Sequence, residues 1–80
     1  MVYEKVSDFK CQQILEMAEK FFQGEGLELE EDDNERCLNF KGGGGFVTIS
    51  CCKREQENKA EVELETREWD RQVKKFMRKI

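Results

Sequence analysis

Proline and histidine are both absent from this 80-residue chain. Without proline, the breaks between elements fall to six glycines, at Gly24, Gly26 and Gly42 to Gly45. Without histidine, the commonest general base and the commonest zinc ligand are missing together. No apolar run approaches the roughly 20 residues that span a bilayer, so no membrane partner is expected. Met1 to Lys10 show no basic segment followed by an apolar one, so no secretory leader is expected. The resulting expectation is a cytoplasmic protein. Its four cysteines, Cys11, Cys37, Cys51 and Cys52, should then be reduced thiols.

What is present suits one small domain covering residues 1–80. Charged residues make up 40% of the chain, a level that would suit disorder, but the apolar residues recur with regular periods, which disordered segments lack. Cys11, Ile14, Leu15, Ala18, Phe21 and Phe22 form a stripe at helical spacing. The spacing predicts a helix over 8–23. Ser7 is the expected cap, Val6 and Cys11 a hydrophobic staple, and Gly24 the stop.

From Leu27 the period becomes two. Leu27 and Leu29, then Leu38 and Phe40, then Val47, Ile49 and Cys51, then Ala60, Val62 and Leu64 alternate with polar or small residues. Asp32 to Glu35 and Arg54 to Glu57 read as turns. Hairpins with four-residue loops would set Leu29 opposite Leu38, Phe40 opposite Val47 and Ile49 opposite Val62. Every inward set then lies on one side, and a one-residue slip would break the agreement. Thr66 is the expected cap of a second helix with Trp69, Val73, Phe76, Met77 and Ile80 inward.

The predicted class is α+β. A four-stranded antiparallel meander carries an N-terminal and a C-terminal helix on one face, with a short edge strand in residues 1–6 as an open alternative. With that strand the element order is similar to TATA-binding-protein-like folds; without it the order looks like small secretion-chaperone-like domains. Neither likeness carries a function, because function resides in sites rather than folds.

The run Gly42-Gly43-Gly44-Gly45 does not fit a phosphate-binding loop, since a strand rather than a helix follows and no Lys with Ser or Thr accompanies it. It reads as a hairpin tip. Each glycine beyond the needs of a turn costs about 0.5–1 kcal/mol of backbone entropy, which points to close approach of a partner's backbone or to a mobile binding tip. Cys51 and Cys52 point to opposite faces, with Cys51 in the core and Cys52 diagonal to Cys37 on the open face. Four cysteines without C-x-x-C spacing are a weak metal signal, and no metal or cofactor is expected. No serine or cysteine has an evident base, so no catalytic residue is assigned and the chain is read as a non-enzyme.

The net charge of −4 argues against general nucleic-acid affinity, but it is unevenly spread. Residues 67–80 carry +4, leaving −8 on the rest. Arg71, Lys74, Lys75 and Arg78 crowd the second helix with like-charged neighbours at i,i+4, which opposes helix stability and implies an anionic counterpart. On the open sheet face Phe46 is the one large apolar residue expected. The reading is a non-enzymatic interaction module whose partner is another protein or a second copy, using Gly42 to Gly45, Phe46, Arg71, Lys74, Lys75 and Arg78. The alternative is a small-ligand-binding domain or enzyme subunit, with a cleft between helix and sheet bordered by the glycine tip and Trp69. Nucleic-acid binding through the basic helix ranks below both.

Overall fold

The structure, a computed structural model, describes residues 1–30, 36–54 and 58–80. The expected turn Asp32 to Glu35 lies outside the described residues, as do Glu55 to Glu57. The elements are β1 (Val2–Ser7), α1 (Cys11–Gly24), β2 (Glu28–Glu30), β3 (Cys37–Gly42), β4 (Gly45–Arg54), β5 (Lys59–Arg67) and α2 (Asp70–Met77). The five strands form one antiparallel sheet in the order β1-β5-β4-β3-β2. The meander is therefore present and β1 is added at its β5 edge. No helix among the described residues is long and apolar enough to cross a membrane.

The alternation sorts the strands onto two faces. Phe40, Val47, Ile49, Cys51, Ala60, Val62, Leu64 and Thr66 are buried, and they join Ile14, Ala18 and Phe22 of α1 with Val73 and Phe76 of α2. The Phe22 ring lies 5.2 Å from that of Phe40 and 5.3 Å from that of Phe76, so one aromatic side chain links both helices to the sheet. Such tilted contacts at 4.5–7 Å contribute about 0.5–1.5 kcal/mol beyond area burial.

Two of the expected registers differ. Leu29 faces Phe40 rather than Leu38, and Ile49 faces Leu64 rather than Val62; Phe40 does face Val47. Both differences are slips of two residues. A two-residue slip preserves which face each side chain occupies, so the core survives the error.

The helix boundaries also differ from expectation. Ser7 does not cap α1. It closes β1, where its hydroxyl accepts the Phe9 N–H at 3.1 Å and donates to the Ile80 carbonyl at 2.9 Å. The helix starts later, at Cys11, with the Gln13 side chain accepting the Lys10 N–H at 3.1 Å. Val6 is 41% exposed, so it forms no staple with Cys11. Gly24 is the last helical residue rather than the residue beyond it. The left-handed stop is Gly26, at φ 100°, where Gly26 N–H reaches Gln23 O and Leu27 N–H reaches Phe22 O. That is a Schellman closure, with Leu27 and Phe22 as its apolar contact.

Thr66 likewise lies inside β5 rather than capping α2, and its buried hydroxyl donates to the Phe46 carbonyl at 2.8 Å. Glu68 takes the left-handed φ of 74° that turns the chain from β5 into α2.

The cysteines are not all thiols. Cys11 and Cys51 form a disulfide with a Cα–Cα distance of 5.7 Å, tying the first turn of α1 to the central strand β4. Cys37 and Cys52 are free.

Candidate functional site

The glycine tip is built by its own chain. Gly42 pairs with Gly45, leaving Gly43 and Gly44 as a two-residue turn at φ 55° and 78°. Positive φ at both central positions is the type I′ signature that matches strand twist. The flanking glycines answer to space instead. A Cβ on Gly45 would collide with the Arg67 carbonyl, and one on Gly42 would come within 3.2 Å of Leu27 Cδ2. The backbone that approaches Gly45 is thus β5 of the same molecule rather than the partner backbone that the glycine run suggests. On the helix side, Trp69 covers the turn and donates its Nε1–H to the Gly42 carbonyl at 2.9 Å.

The space between helix and sheet at the tip is therefore taken by Trp69 and Leu27. The depression at the tip opens on the other face of the sheet. It measures 660 Å³ and is lined by Lys41, Gly42 to Gly45, Phe46 and Arg67. Lys41, Phe46 and Arg67 lie in one cross-strand row on β3, β4 and β5. Phe46 is 36% exposed there.

The rest of the uncovered face is ordered by register. Val2, Glu65, Thr48, Asn39 and Glu30 make one row; Glu4, Glu63, Ser50 and Cys37 make the next; Val6, Glu61 and Cys52 the third. Glu4 stands directly opposite Glu63, a like-charge pair that disfavours the sheet locally. Arg54 engages Glu61, and Lys41 approaches Glu30 at 3.9 Å. Among the described residues, Glu4, Glu63 and Glu65 have no ion pair. The floor between the acidic strands is small: Thr48 donates to Asn39 Oδ1 at 2.8 Å, and Ser50 and Cys37 follow. A second depression of 340 Å³ is lined by Glu4, Val6, Ser50, Cys52, Glu61 and Glu63.

The four α2 cations are separate from this face. Arg71, Lys74, Lys75 and Arg78 are exposed on the outer side of α2, whose inner side buries Val73 and Phe76. They therefore lie on the opposite side of the molecule from the acidic rows. Lys74 Nζ stands 5.8 Å from the Tyr3 ring centroid.

Sequence reasoning missed how β1 holds α2. Tyr3, Lys5 and Ser7 face inward and bind the start of α2, its end and Ile80 three residues further on. The Tyr3 hydroxyl donates to Asp70 Oδ2 at 2.6 Å, Lys5 Nζ to the Met77 carbonyl at 2.6 Å, and Ser7 to Ile80. The Asp70 hydrogen bond, then partial burial, then the Asp70 charge push the Tyr3 pKa above its ordinary value. The only sequence signal was polar side chains alternating with Val2, Glu4 and Val6. The disulfide left a clearer trace, since Cys11 and Cys51 both belong to the inward sets of their elements.

No protein-family model matches the chain, and no curated protein matches it in sequence.

Proposed function

We propose that this chain is a non-enzymatic protein-interaction module that presents its uncovered sheet face to a cationic partner. The carrying observation is the Glu4–Glu63 row. Two carboxylates stand opposite each other with Glu65 and Glu61 alongside on β5, and Val2 and Val6 are exposed at 50% and 41% on the same face. Like charges in register cost about 0.2–1 kcal/mol in the free protein, and a bound cation relieves that cost. The exposed valines and Phe46 supply the apolar area that a purely solvated face does not need. Amide chemical shifts of the labelled protein, recorded while a lysine-rich peptide is added, test this reading. Saturable shifts confined to β1, β4 and β5 are expected. Scattered, non-saturating shifts would discard it.

A second reading is supported by the tip. Lys41 and Arg67 flank Phe46 in a 660 Å³ depression, a set suited to a small aromatic anion. Trp69, seated on the other side of the same turn, would report such binding by fluorescence. No response across a broad metabolite set would remove this reading.

The cysteines bear on the compartment. Disulfides persist in oxidising surroundings, so Cys11–Cys51 favours a non-reducing location over the cytoplasmic one expected from the first residues. Trapping thiols in intact cells before lysis distinguishes the two.

A further inference from the structure

We infer that the cationic partner of the acidic sheet face is α2 of a second copy of this chain, docked head to tail. The inference rests on the interaction reading above and names the occupant of that same face.

The two surfaces match in shape. Arg71, Lys74, Lys75 and Arg78 are spaced i, i+3, i+4 and i+7, so they form a single stripe about 10 Å long at a rise of 1.5 Å per residue. Glu61, Glu63 and Glu65 alternate along β5 over about 14 Å. Across the sheet, β5 and β2 are three strand spacings apart, again about 14 Å. Between them lies the small-residue floor of Thr48, Ser50, Cys37 and Asn39, with Glu28 and Glu30 on the far side. A helix of diameter about 10–12 Å fits that trough lengthwise.

The charges also match, and part of each set is unpaired within the chain, although Arg54 engages Glu61 and Lys41 approaches Glu30. Among the described residues, Arg71, Lys75 and Arg78 have no ion pair, and neither do Glu4, Glu63 and Glu65. Each set repels itself, at i,i+4 on the helix and across strands on the sheet. One chain cannot bring the sets together, because α2 packs on the covered side of the sheet and the glutamates lie on the uncovered side. A second copy can, and it supplies both surfaces in equal number. The contact is heterologous, so it extends into rows or closes into rings rather than stopping at a symmetric dimer. Because the attraction is between exposed charges, salt should weaken it.

Sedimentation of the full chain at low and high salt tests this, using two charge-reversed variants. R71E/K75E cancels the charge of the helix stripe, leaving Lys74 and Arg78 against two carboxylates. E63K/E65K removes most of the negative charge that β5 contributes to the sheet face. Circular dichroism and thermal melts establish that both remain folded, and should either fail, the single variants K75E and E63K replace them. The wild type should gain mass with concentration at low salt and sediment as a monomer at high salt. Each variant alone should stay monomeric at both. An equimolar mixture of the two should associate again as pairs, since the intact basic helix of E63K/E65K meets the intact acidic sheet of R71E/K75E. A wild type that remains monomeric at low salt and high concentration would overturn the inference. So would a variant that still associates alone, or a mixture of folded variants that stays monomeric. A monomeric wild type whose sheet-face amides still shift with the lysine-rich peptide would sink self-docking while leaving the interaction reading intact.

Discussion

Trp69 is hydrogen-bonded to Gly42, its indole N–H meeting the carbonyl at 2.9 Å, and its ring lies against Gly43 in the adjoining turn. The residue that opens into α2 therefore clamps a hairpin 27 positions earlier in the chain. The same turn is held on its other strand by the close passage of Arg67 beside Gly45.

The four glycines should consequently differ in tolerance. Gly45→Ala places a methyl on the Arg67 backbone, which cannot give way as a flexible side chain would. We expect a loss of about 3 kcal/mol, the upper end of the usual overpacking cost. Gly44 faces open space, so Gly44→Asn should cost under about 1 kcal/mol, because asparagine tolerates left-handed φ. Gly43→Asn should cost more, its Cβ standing 3.1 Å from Trp69 Cζ2. Urea midpoints of the three variants rank them; equal midpoints would refute this account of the tip.

The disulfide should account for much of the stability of so small a fold. Cys11 and Cys51 are 40 residues apart, and closing a loop of that size in the unfolded chain is worth about 4 kcal/mol in the chain-entropy treatment. Reduction, or the double change C11A/C51A, should lower the melting temperature by about 15 °C or more. An unchanged melt with reductant present would show that the bond is not formed or contributes nothing. In native conditions Cys37 and Cys52 alone should react with a thiol reagent.

Tyr3 and Asp70 predict a stability change in alkali. The folded-state pKa of Tyr3 is raised, so folding favours the neutral phenol. That contribution is complete below the unfolded value of about 10 and is lost as pH rises through the higher folded value. Ultraviolet titration of the tyrosinate band should give a midpoint above the ordinary tyrosine range, and Asp70→Asn should bring it down. A normal midpoint in the wild type would mean the hydrogen bond is not populated.

Phe76 joins α2 to α1, its ring 5.3 Å from Phe22 and 5.6 Å from Phe21. It is fully buried. Phe76→Ala should cost about 3–5 kcal/mol, most of the stability of a domain this size. If the variant is as stable as the parent, the inner face of α2 has been misassigned.

Periodicity alone determined most of the apolar core. Ala60, Val62 and Leu64 alternate with glutamates, and Ile14, Ala18 and Phe22 recur at i,i+4; these patterns are local, so they needed no partner to be read. They also determined the layer order, because a helix with one apolar stripe must lie on the apolar face of the sheet. Only the tertiary structure decided the rest, because each remaining choice depends on groups far apart in the chain. Register in β2–β3 and β4–β5 rested on loop length, and a slip of two is invisible to a pattern of period two. Ser7 and Thr66 look like helix caps locally, yet Ser7 is recruited by Ile80, 73 residues away, and Thr66 by Phe46, 20 residues away. The pairing of Cys11 with Cys51 required α1 to be laid across β4. Four glycines in a row looked like more than a turn needs until β5 and Trp69 were folded against them. Composition announced the excess, but only the packed neighbours supplied its cause.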